Sequence, residues 1–292
     1  MQNTVREVLR AAVSTLEAHG VPEARAAAEI LLAEVLAIPR SHLYIEAGRV
    51  LTPQQQRCYA ERLQRRMRRE PVQYITGKQE FWSLAFRVTP QVLIPRPESE
   101  LLVAHGLRFA RQWQAARGEE PLWLLDVGTG SGNLAISLAA ALPASRVCAI
   151  DLSLPALRVA QDNARRLGVA ARVTWLCGDL LTSLRPGLRR FALCVANLPY
   201  VTEEEWEQLA PEVREYEPAV ALVGGKDGLA LIRRLIATCG EVLAPGGRLL
   251  LEVGWQQAAQ VLAALQQQGQ FGAMGVYEDF GGIARVVWAE VR

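Results

Sequence analysis

Apolar residues spaced as in helices occupy the first part of the chain, residues 1–70. From Val5 onward they fall at i, i+3, i+4, i+7, i+8 and i+11, which places them on one face of a helix. We predict three helices here. The first opens with a capping box at Thr4, the second starts near Pro22, and the third starts at Thr52, ahead of a proline.

The third predicted helix ends in a run of basic residues, RLQRRMRRE at 62–70. A charged run most often forms a solvated helix face, and a contact surface for an acidic partner is the alternative interpretation. Residues 1–70 are therefore predicted to form one helical domain with a basic end.

Residues 71–95 change to a pattern of β-forming residues, PVQYITGKQEFWSLAFRVTPQVLIP. Gly77 and several prolines interrupt them. This pattern predicts a hairpin-like connector between the helical domain and the rest of the chain.

From residue 96 to 292, apolar strand patterns alternate with helical ones. This alternation predicts an α/β domain of Rossmann type, with a mostly parallel sheet covered by helices on both faces. Two adjacent runs at the end, GAMGVYEDF and IARVVWAEV, predict an antiparallel pair that closes the sheet. The predicted parallel strands are 122–127, 146–151, 172–177, 191–196 and 248–253.

Composition and charge narrow the class of protein. The 292 residues are 50% hydrophobic and 21% charged, with a net charge of +2, which is typical of globular proteins and gives little attraction to nucleic acid. The chain shows no signal-peptide pattern and no membrane-length apolar run, so we expect a cytoplasmic protein without membrane association. The five cysteines lack metal-site spacing, which predicts free thiols and no metal.

A glycine-rich turn follows the first strand of the α/β domain, within LWLLDVGTGSGNLAISLAAAL. Gly128, Gly130 and Gly132 let the backbone pass close to a ligand and adopt positive φ. Asp151 ends the next strand, where a carboxylate can accept both hydroxyls of a ribose. A tight βα turn without a ligand is the alternative interpretation.

Two nucleotide-type cofactors fit such a turn, and the acidic residues favour S-adenosylmethionine. A dinucleotide fingerprint needs glycine where Asn133 stands, and Asp126 would repel a pyrophosphate. S-adenosylmethionine has no phosphate and carries positive charge, so we predict that Asp126, and Asn197 at the same sheet edge, also belong to its binding site. Asp179, after the third strand, is predicted to accept from the adenine amino group, with Leu180 against the ring; a helix N-cap is the alternative for Asp179.

The stretch FALCVANLPYVTEEE carries the second candidate motif. Asn197 ends the fourth strand, at the same sheet edge as the glycine turn. Asn-Leu-Pro-Tyr resembles the Asn-Pro-Pro-Tyr motif of enzymes that methylate planar nitrogens in adenine, guanine or protein glutamine. A turn and a core tyrosine are the alternative interpretation.

The chemistry of amide methylation explains these residue types. An amide nitrogen is a poor nucleophile, and two acceptors aimed at its N–H groups would orient it and stabilise the charge it develops. We expect the side-chain oxygen of Asn197 and the carbonyl of Leu198 to be those acceptors. Pro199 would fix the loop, and Tyr200 would offer a flat face. Leu198 replaces the proline of the related motif, which predicts reduced rigidity rather than loss of activity.

Further stretches resemble the bacterial release-factor glutamine N5-methyltransferases, the HemK/PrmC family. They include PVQYITGKQEFWSLAFRV, VLIPRPESELLV, LLDVGTGSGNLAISLA, VREYEPAVALVGGKDGL and PGGRLLLEVGWQQ, and they run in order along nearly the whole chain. The resemblance implies a class I methyltransferase domain at 96–292, joined by the 71–95 connector to a substrate-recognition domain at 1–70. It also implies methylation of the Gly-Gly-Gln glutamine of class 1 peptide chain release factors, with S-adenosylhomocysteine as the second product.

Carried over by position, the resemblance also implies roles for individual residues. Leu180 matches a position beside adenine, and RPESE matches a segment beside the cofactor pocket to which we assign no catalytic role. The S-adenosylmethionine positions are matched by Gly128, Thr129, Gly130, Ser131, Gly132 and Asp151, and the glutamine-binding motif by Asn197, Leu198, Pro199 and Tyr200.

Three alternatives compete with this hypothesis. An adenine or guanine amino-methyltransferase would need phosphate contacts, which the net charge of +2 disfavours. A nicotinamide-dependent oxidoreductase is disfavoured by Asn133. A binding module that has lost its activity is suggested by Leu198. We expect a monomer that binds release factors and makes no direct contact with nucleic acid.

Overall fold

The computed structural model describes residues 3–118, 121–188 and 190–292. The chain groups into two compact units. The first comprises Met1–Lys78 with Ala210–Tyr216, and the second comprises Gln79–Leu209 with Glu217–Arg292.

Helices and strands follow one another in the order given by their numbers. The helices are α1 (Val5–Ala18), α2 (Ala24–Leu36), α3 (His42–Ile45), α4 (Pro53–Met67), α5 (Val72–Thr76), α6 (Glu100–Arg117), α7 (Asn133–Ala141), α8 (Leu154–Arg166), α9 (Glu203–Gln208), α10 (Pro211–Arg214), α11 (Ala230–Cys239) and α12 (Ala258–Gln268). The strands are β1 (Lys78–Phe81), β2 (Leu84–Arg87), β3 (Leu122–Val127), β4 (Ser145–Asp151), β5 (Val173–Cys177), β6 (Phe191–Ala196), β7 (Leu243–Glu252), β8 (Phe271–Glu278) and β9 (Ala284–Val291). Short 3-10 turns lie at Pro97–Ser99, Ala170–Arg172 and Ala219–Ala221.

The first unit is helical, and side-chain caps define where α1 and α4 begin. The Thr4 hydroxyl accepts the Glu7 N–H while the Glu7 carboxylate accepts the Thr4 N–H, so the predicted capping box is confirmed. Thr52 and Gln55 cap α4 in the same reciprocal way. α2 begins at Ala24, close to its predicted start. The apolar faces of α1, α2 and α4 contribute to one buried cluster.

The basic run at 62–70 is only partly solvated. Arg66 is 4% exposed, and its Nη2 donates to Glu212 Oε1 at 2.8 Å. Arg69 donates twice to the same carboxylate, at 2.7 and 2.6 Å. Burial opposes ionisation of Glu212, but the hydrogen bonds from Arg69 and Arg66 outweigh it and lower the pKa of Glu212 to about 2. The predicted solvated face is therefore wrong for Arg66, whose guanidinium is buried against a carboxylate.

β1 and β2 form the predicted two-stranded hairpin. Trp82 and Ser83 make its turn with φ of +52° and +57°, the left-handed conformation that tight two-residue hairpin turns adopt. Glu100 Oε1 accepts the Trp82 N–H at 2.7 Å, which stabilises the turn.

The second unit is built on a seven-stranded sheet with the order β5-β4-β3-β6-β7-β9-β8. β3 to β7 are parallel, and β9 pairs antiparallel with both β7 and β8, which confirms the predicted antiparallel closing pair of β8 and β9. The predicted strands at 122–127 and 191–196 match β3 and β6. β7 begins at Leu243 instead of 248, because its Pro245-Gly246-Gly247 segment continues the strand irregularly where the sequence indicates a break.

The register of the parallel strands brings the candidate residues to one edge. Val127 lies beside Ile150 on β4 and beside Ala196 on β6, and Ala196 lies beside Leu251 on β7. The residues that follow these positions therefore meet where the strands end. Adjacent residues of β3 enter different buried clusters, so both faces of the sheet are covered.

None of the helices in the described part of the chain is long and apolar enough to cross a membrane. The described residues also contain no group of three or more His, Cys, Asp and Glu side chains that is suited to a metal ion. All five cysteines are free thiols, as predicted.

Candidate active site

A large cavity lies at the carboxyl edge of the sheet, within the second unit. It holds about 1110 Å³ of empty space, including its open mouth. Both candidate motifs contribute to its wall. The wall includes Val127–Ser131, Ile150–Ser153, Gly178–Leu180, Asn197–Pro199 and parts of the segments 91–99 and 218–221.

The glycine turn needs glycine at each of its three positions, for different reasons. Gly128, Gly130 and Gly132 have φ of +76°, +54° and +82°, which side chains rarely adopt. A Cβ on Gly132 would lie 2.8 Å from Ile136 Cδ1, and one on Gly128 would lie 3.0 Å from a Leu198 methyl group. A Cβ on Gly130 would meet no atom of the described residues within 4 Å, so Gly130 leaves open space at the cavity wall.

Asp126 supports this turn from inside the fold. Its carboxylate is fully buried, and Oδ2 accepts from Thr129 Oγ1 at 2.6 Å and from the Ala135 N–H at 3.1 Å. Its Oδ1 is buried without a partner among the described residues. Burial raises the pKa of Asp126 to about 7. Asp126 does not line the cavity. It affects the cavity only by fixing the backbone of the glycine turn.

Asp151 joins the glycine turn to the cavity. Its Oδ2 accepts the Gly130 N–H and its Oδ1 accepts the Ser153 N–H, both at 2.8 Å. Burial raises the pKa of Asp151, while these two hydrogen bonds lower it. Each carboxylate oxygen retains a lone pair, so Asp151 can still accept hydroxyl groups from a ligand.

Asp179 and Leu180 lie on the wall beyond Asp151. Asp179 Oδ2 accepts from Arg234 Nη2 at 2.7 Å at a partly exposed position, a partner that the sequence did not suggest. Asp179 lies in a turn and caps no helix, so the N-cap alternative is wrong. Leu180 has φ of +51°, an uncommon conformation for leucine, and it lines the cavity.

Asn197 is held by a buried network that sequence analysis missed. Its Nδ2 donates to Ser99 Oγ at 2.9 Å, and Ser99 Oγ donates to Glu252 Oε2 at 2.6 Å. The Tyr200 hydroxyl donates to Glu252 Oε1 at 3.3 Å. With the amide nitrogen engaged by Ser99, the Asn197 oxygen is left for another donor. Glu252 had one available signal, an acid at the end of an apolar strand; Ser99 resembled an ordinary helix start.

The backbone after Asn197 is tightly enclosed. Gln257 Nε2 donates to the Tyr200 carbonyl at 2.9 Å. A Cβ on Gly224 would lie 2.4 Å from the Pro199 carbonyl oxygen, and one on Gly228 would lie 2.1 Å from that of Tyr200. These contacts restrict the turn that carries the Leu198 carbonyl.

Leu198 and Tyr200 occupy different surroundings. Leu198 is 3% exposed, lines the cavity and packs near Gly128. Tyr200 lies outside that wall and lines a separate hollow with Trp255 and Arg285. The structure thus brings Asn197, Leu198 and Pro199 to the main cavity, and Tyr200 contributes its hydroxyl to the Glu252 network.

A further buried carboxylate, which no sequence motif indicated, orders another part of the cavity wall. Glu217 is buried, and its Oε2 accepts the Ile94 N–H at 3.0 Å while its Oε1 pairs with Arg96. Arg96 is the basic side chain among the described wall residues, and its charge is balanced by Glu217. Sequence analysis placed Arg96 beside the pocket but did not identify Glu217 as its partner.

Two known protein families match different parts of the chain. Residues 7–77 match the PrmC N-terminal domain, and residues 124–216 match a methyltransferase domain. The fold resembles the hMettl16 catalytic domain in complex with MAT2A 3′UTR hairpin 6, with a TM-score of 0.56 and 15% identity over 75% of this chain and 79% of that one. The delta-N METTL16 methyltransferase domain gives a TM-score of 0.52 and 16% identity, over 72% of this chain and 90% of that one. These two likenesses show the fold alone.

Sequence relatives extend over almost the whole chain. Release factor glutamine methyltransferase of Moorella thermoacetica is 42% identical, with 99% of each chain covered. The proteins of that name from Geobacter sulfurreducens and Koribacter versatilis are each 41% identical, covering 99% and 97% of this chain and 97% of their own lengths. With this identity over nearly the full length of both partners, the chain belongs to the release factor glutamine methyltransferase family.

Proposed function

We propose that this protein transfers a methyl group from S-adenosylmethionine to the side-chain nitrogen, N5, of the glutamine in the Gly-Gly-Gln motif of class 1 peptide chain release factors. The observation that carries the proposal is the orientation of Asn197. Its amide nitrogen is engaged by Ser99, so its oxygen remains to accept from a substrate N–H at the cavity. The names of the full-length relatives support the same substrate.

The cavity wall suits S-adenosylmethionine. Gly130 leaves open space there, and Asp151 retains acceptor capacity for ribose hydroxyls. Arg96 is balanced by Glu217, so a pyrophosphate would find little unpaired positive charge on the described wall. Asp179 is likewise balanced by Arg234, whereas Asp151 is bound by backbone N–H groups and favours a positive ligand. When bound, S-adenosylmethionine supplies an electrophilic methyl group and leaves as S-adenosylhomocysteine.

The loop at 197–199 would bind and orient the substrate amide. The Asn197 Oδ1 and the Leu198 carbonyl would each accept one N–H of the glutamine side chain, and thereby fix the plane of the amide. The hydrogen bond from Asn197 to Ser99 and the close packing around the Pro199 and Tyr200 carbonyls support a loop that is ordered before substrate binds. Fixed dipoles of this kind stabilise a developing positive charge by about 3 kcal/mol each. The methylated nitrogen is acidic and can lose its proton to water, so a strong base is not needed.

We propose that a helical domain at 1–70 recognises the protein substrate, that 71–95 is the connector and that 96–292 is the methyltransferase domain. A stable interface with a folded partner buries roughly 1,600 Å², which is more than a narrow glutamine-bearing loop can supply. The net charge of +2 is consistent with a protein partner rather than direct binding to nucleic acid. We propose that the protein acts as a monomer in the cytoplasm.

Methyl transfer from labelled S-adenosylmethionine to different acceptors tests the proposed function. The acceptors are a class 1 release factor, the same factor with alanine in place of the Gly-Gly-Gln glutamine, and double- and single-stranded nucleic acid. Label is expected on the first acceptor alone. Label on nucleic acid would instead identify an adenine or guanine amino-methyltransferase, and equal label on the alanine variant would exclude that glutamine as the acceptor.

A further inference from the structure

Ser99 lies at the start of α6, where a serine side chain usually caps the helix. Its side chain makes no capping hydrogen bond to α6. Ser99 is instead 1% exposed, and its hydroxyl lies between Asn197 and Glu252, which are remote in sequence. The Ser99 hydroxyl therefore does not cap the helix but links two buried polar side chains.

The single hydroxyl proton of Ser99 decides how the Asn197 amide is oriented. With Glu252 ionised, its carboxylate can only accept, so the Ser99 proton points to Oε2. Ser99 Oγ then presents only a lone pair to Asn197, and the amide must turn its Nδ2 toward Ser99. Asn197 Oδ1 is thereby directed away from Ser99.

Protonation of Glu252 would reverse this order. A protonated carboxyl group can donate to Ser99 Oγ, and the Ser99 proton is then free to point at Asn197. That arrangement is satisfied when the Asn197 amide turns its oxygen toward Ser99 and its nitrogen outward. Protonation of Glu252 thus replaces the acceptor that Asn197 directs away from Ser99, its Oδ1, with a donor, its Nδ2.

We propose that Ser99 and Glu252 are positioning residues that orient the Asn197 amide, and that a proton on Glu252 turns its acceptor oxygen away from the substrate nitrogen. The inference rests on the proposed function and adds a means by which the same site is regulated. The groups that pack against Glu252 set the balance between its ionised and protonated forms.

The polar groups around Glu252 come from several segments. Glu98 faces it from the 3-10 turn, Tyr200 from the loop after β6 and Arg285 from β9, and Ser99 acts from the 3-10 turn as a neutral hydrogen-bond donor. Burial raises its pKa to about 7; Glu98 adds to the rise, and the hydrogen bonds and Arg285 oppose it. The Arg285 charge is shared with Asp279, whose Oδ2 accepts from Arg285 Nε at 3.2 Å.

The expected pH effects on rate and on stability have opposite signs. As pH falls through about 7, Glu252 takes up a proton and the rate of methyl transfer should fall. The raised pKa also means that the folded state binds this proton more tightly than the unfolded chain does, so its contribution to stability grows as pH falls. An acidic loss of rate caused by Glu252 is therefore not a loss of fold.

Single-turnover rates against pH, at saturating S-adenosylmethionine and release factor, test the inference. The wild type is expected to lose rate roughly tenfold per pH unit below the Glu252 transition. Glu252→Gln keeps an acceptor at all pH values and should show no such decline, and Ser99→Ala should be slow and equally flat. Asp126→Asn is the matched control: Asp126 also has a pKa near 7, and its removal should leave the decline in place.

A spectroscopic measurement separates this inference from the proposed function. The side-chain amide signals of Asn197 should shift with the same midpoint as the Glu252 carboxyl signal in NMR titrations of wild type, and should not shift in Ser99→Ala. This result would uphold the inference even if no release factor were methylated, in which case the proposed function alone would fail. Asn197 signals that ignore the Glu252 titration, or an unchanged rate decline in Glu252→Gln, would overturn it.

Discussion

The turns that follow β3 and β6 end neighbouring parallel strands at the same sheet edge, yet their supports come from different distances along the chain. The glycine turn is held from nearby: Asp126 binds Thr129 and the Ala135 N–H, and Asp151, 21 residues from Gly130, accepts the Gly130 N–H. The Asn-Leu-Pro-Tyr turn is held from far along the chain, since Asn197 binds Ser99, 98 residues away. The first turn thus depends on its own and the next strand, whereas the second depends on several segments of the unit.

We expect this difference to suit the two turns to separate tasks. A locally supported turn can bind a cofactor through its backbone with little dependence on distant side chains. A turn supported by Ser99, Glu252 and Gln257 gains a fixed orientation of its acceptors only when the whole unit is folded. Variants in the two turns should therefore affect different measurements.

Asn197→Ala should give the largest effect. It removes one of the two proposed substrate acceptors, so the rate of methyl transfer is expected to fall about 100- to 1,000-fold. Affinity for S-adenosylmethionine, measured by calorimetry, should change little, because the glycine turn remains intact. Tyr200→Phe is the control, since it removes a hydroxyl from Glu252 but keeps both acceptors. A comparable loss in the two variants would contradict the distinction.

Asp126→Asn should change how stability depends on pH. The folded state raises the pKa of Asp126 to about 7, so the wild type binds this proton more tightly when folded, and stability falls as pH rises from about 4 to about 7. Asparagine has no such proton. The difference in unfolding free energy between variant and wild type should move in favour of the variant by roughly 3 kcal/mol between pH 4 and pH 8. Urea unfolding without cofactor measures it, and a constant difference would contradict the buried ionisation of Asp126.

Alanine at Gly130 and at Gly132 forms a matched pair inside the glycine turn. Both positions have positive φ, which costs an alanine about 1–3 kcal/mol. Gly132→Ala also meets Ile136 and Ala160, so it should lower the melting temperature more. Gly130→Ala projects into open space at the cavity wall and should lower cofactor affinity more. The reverse ranking would show that Gly130 does not face the ligand.

Leu198→Pro should have the smallest effect. The sequence alone predicts that leucine here costs rigidity, but Gln257, Gly224 and Gly228 already enclose the adjacent backbone. We therefore expect the methyl-transfer rate to change by less than about threefold, which is below 1 kcal/mol in the activation barrier. A tenfold faster variant would mean that the Leu198 carbonyl is poorly held in the natural protein.

Local signals account for what could be predicted from the sequence. β3 and β6 were bounded correctly because each is a short apolar run ending at a turn motif, and Asn197 was identified because its motif is continuous. β7 was predicted too short, because glycine and proline inside a strand resemble a break. The Asn197 partners could not be found, because Ser99 and Glu252 meet only through the sheet register and the packing of α6.

The Asn-Leu-Pro-Tyr turn is proposed to present a glutamine amide for methylation. Fragmentation mass spectrometry of a class 1 release factor, after a single turnover with this protein and S-adenosylmethionine, checks this role. We expect one added methyl group, located on the side-chain nitrogen of the Gly-Gly-Gln glutamine and nearly absent with Asn197→Ala. An unmodified glutamine in the presence of bound cofactor, or equal modification by Asn197→Ala, would refute it.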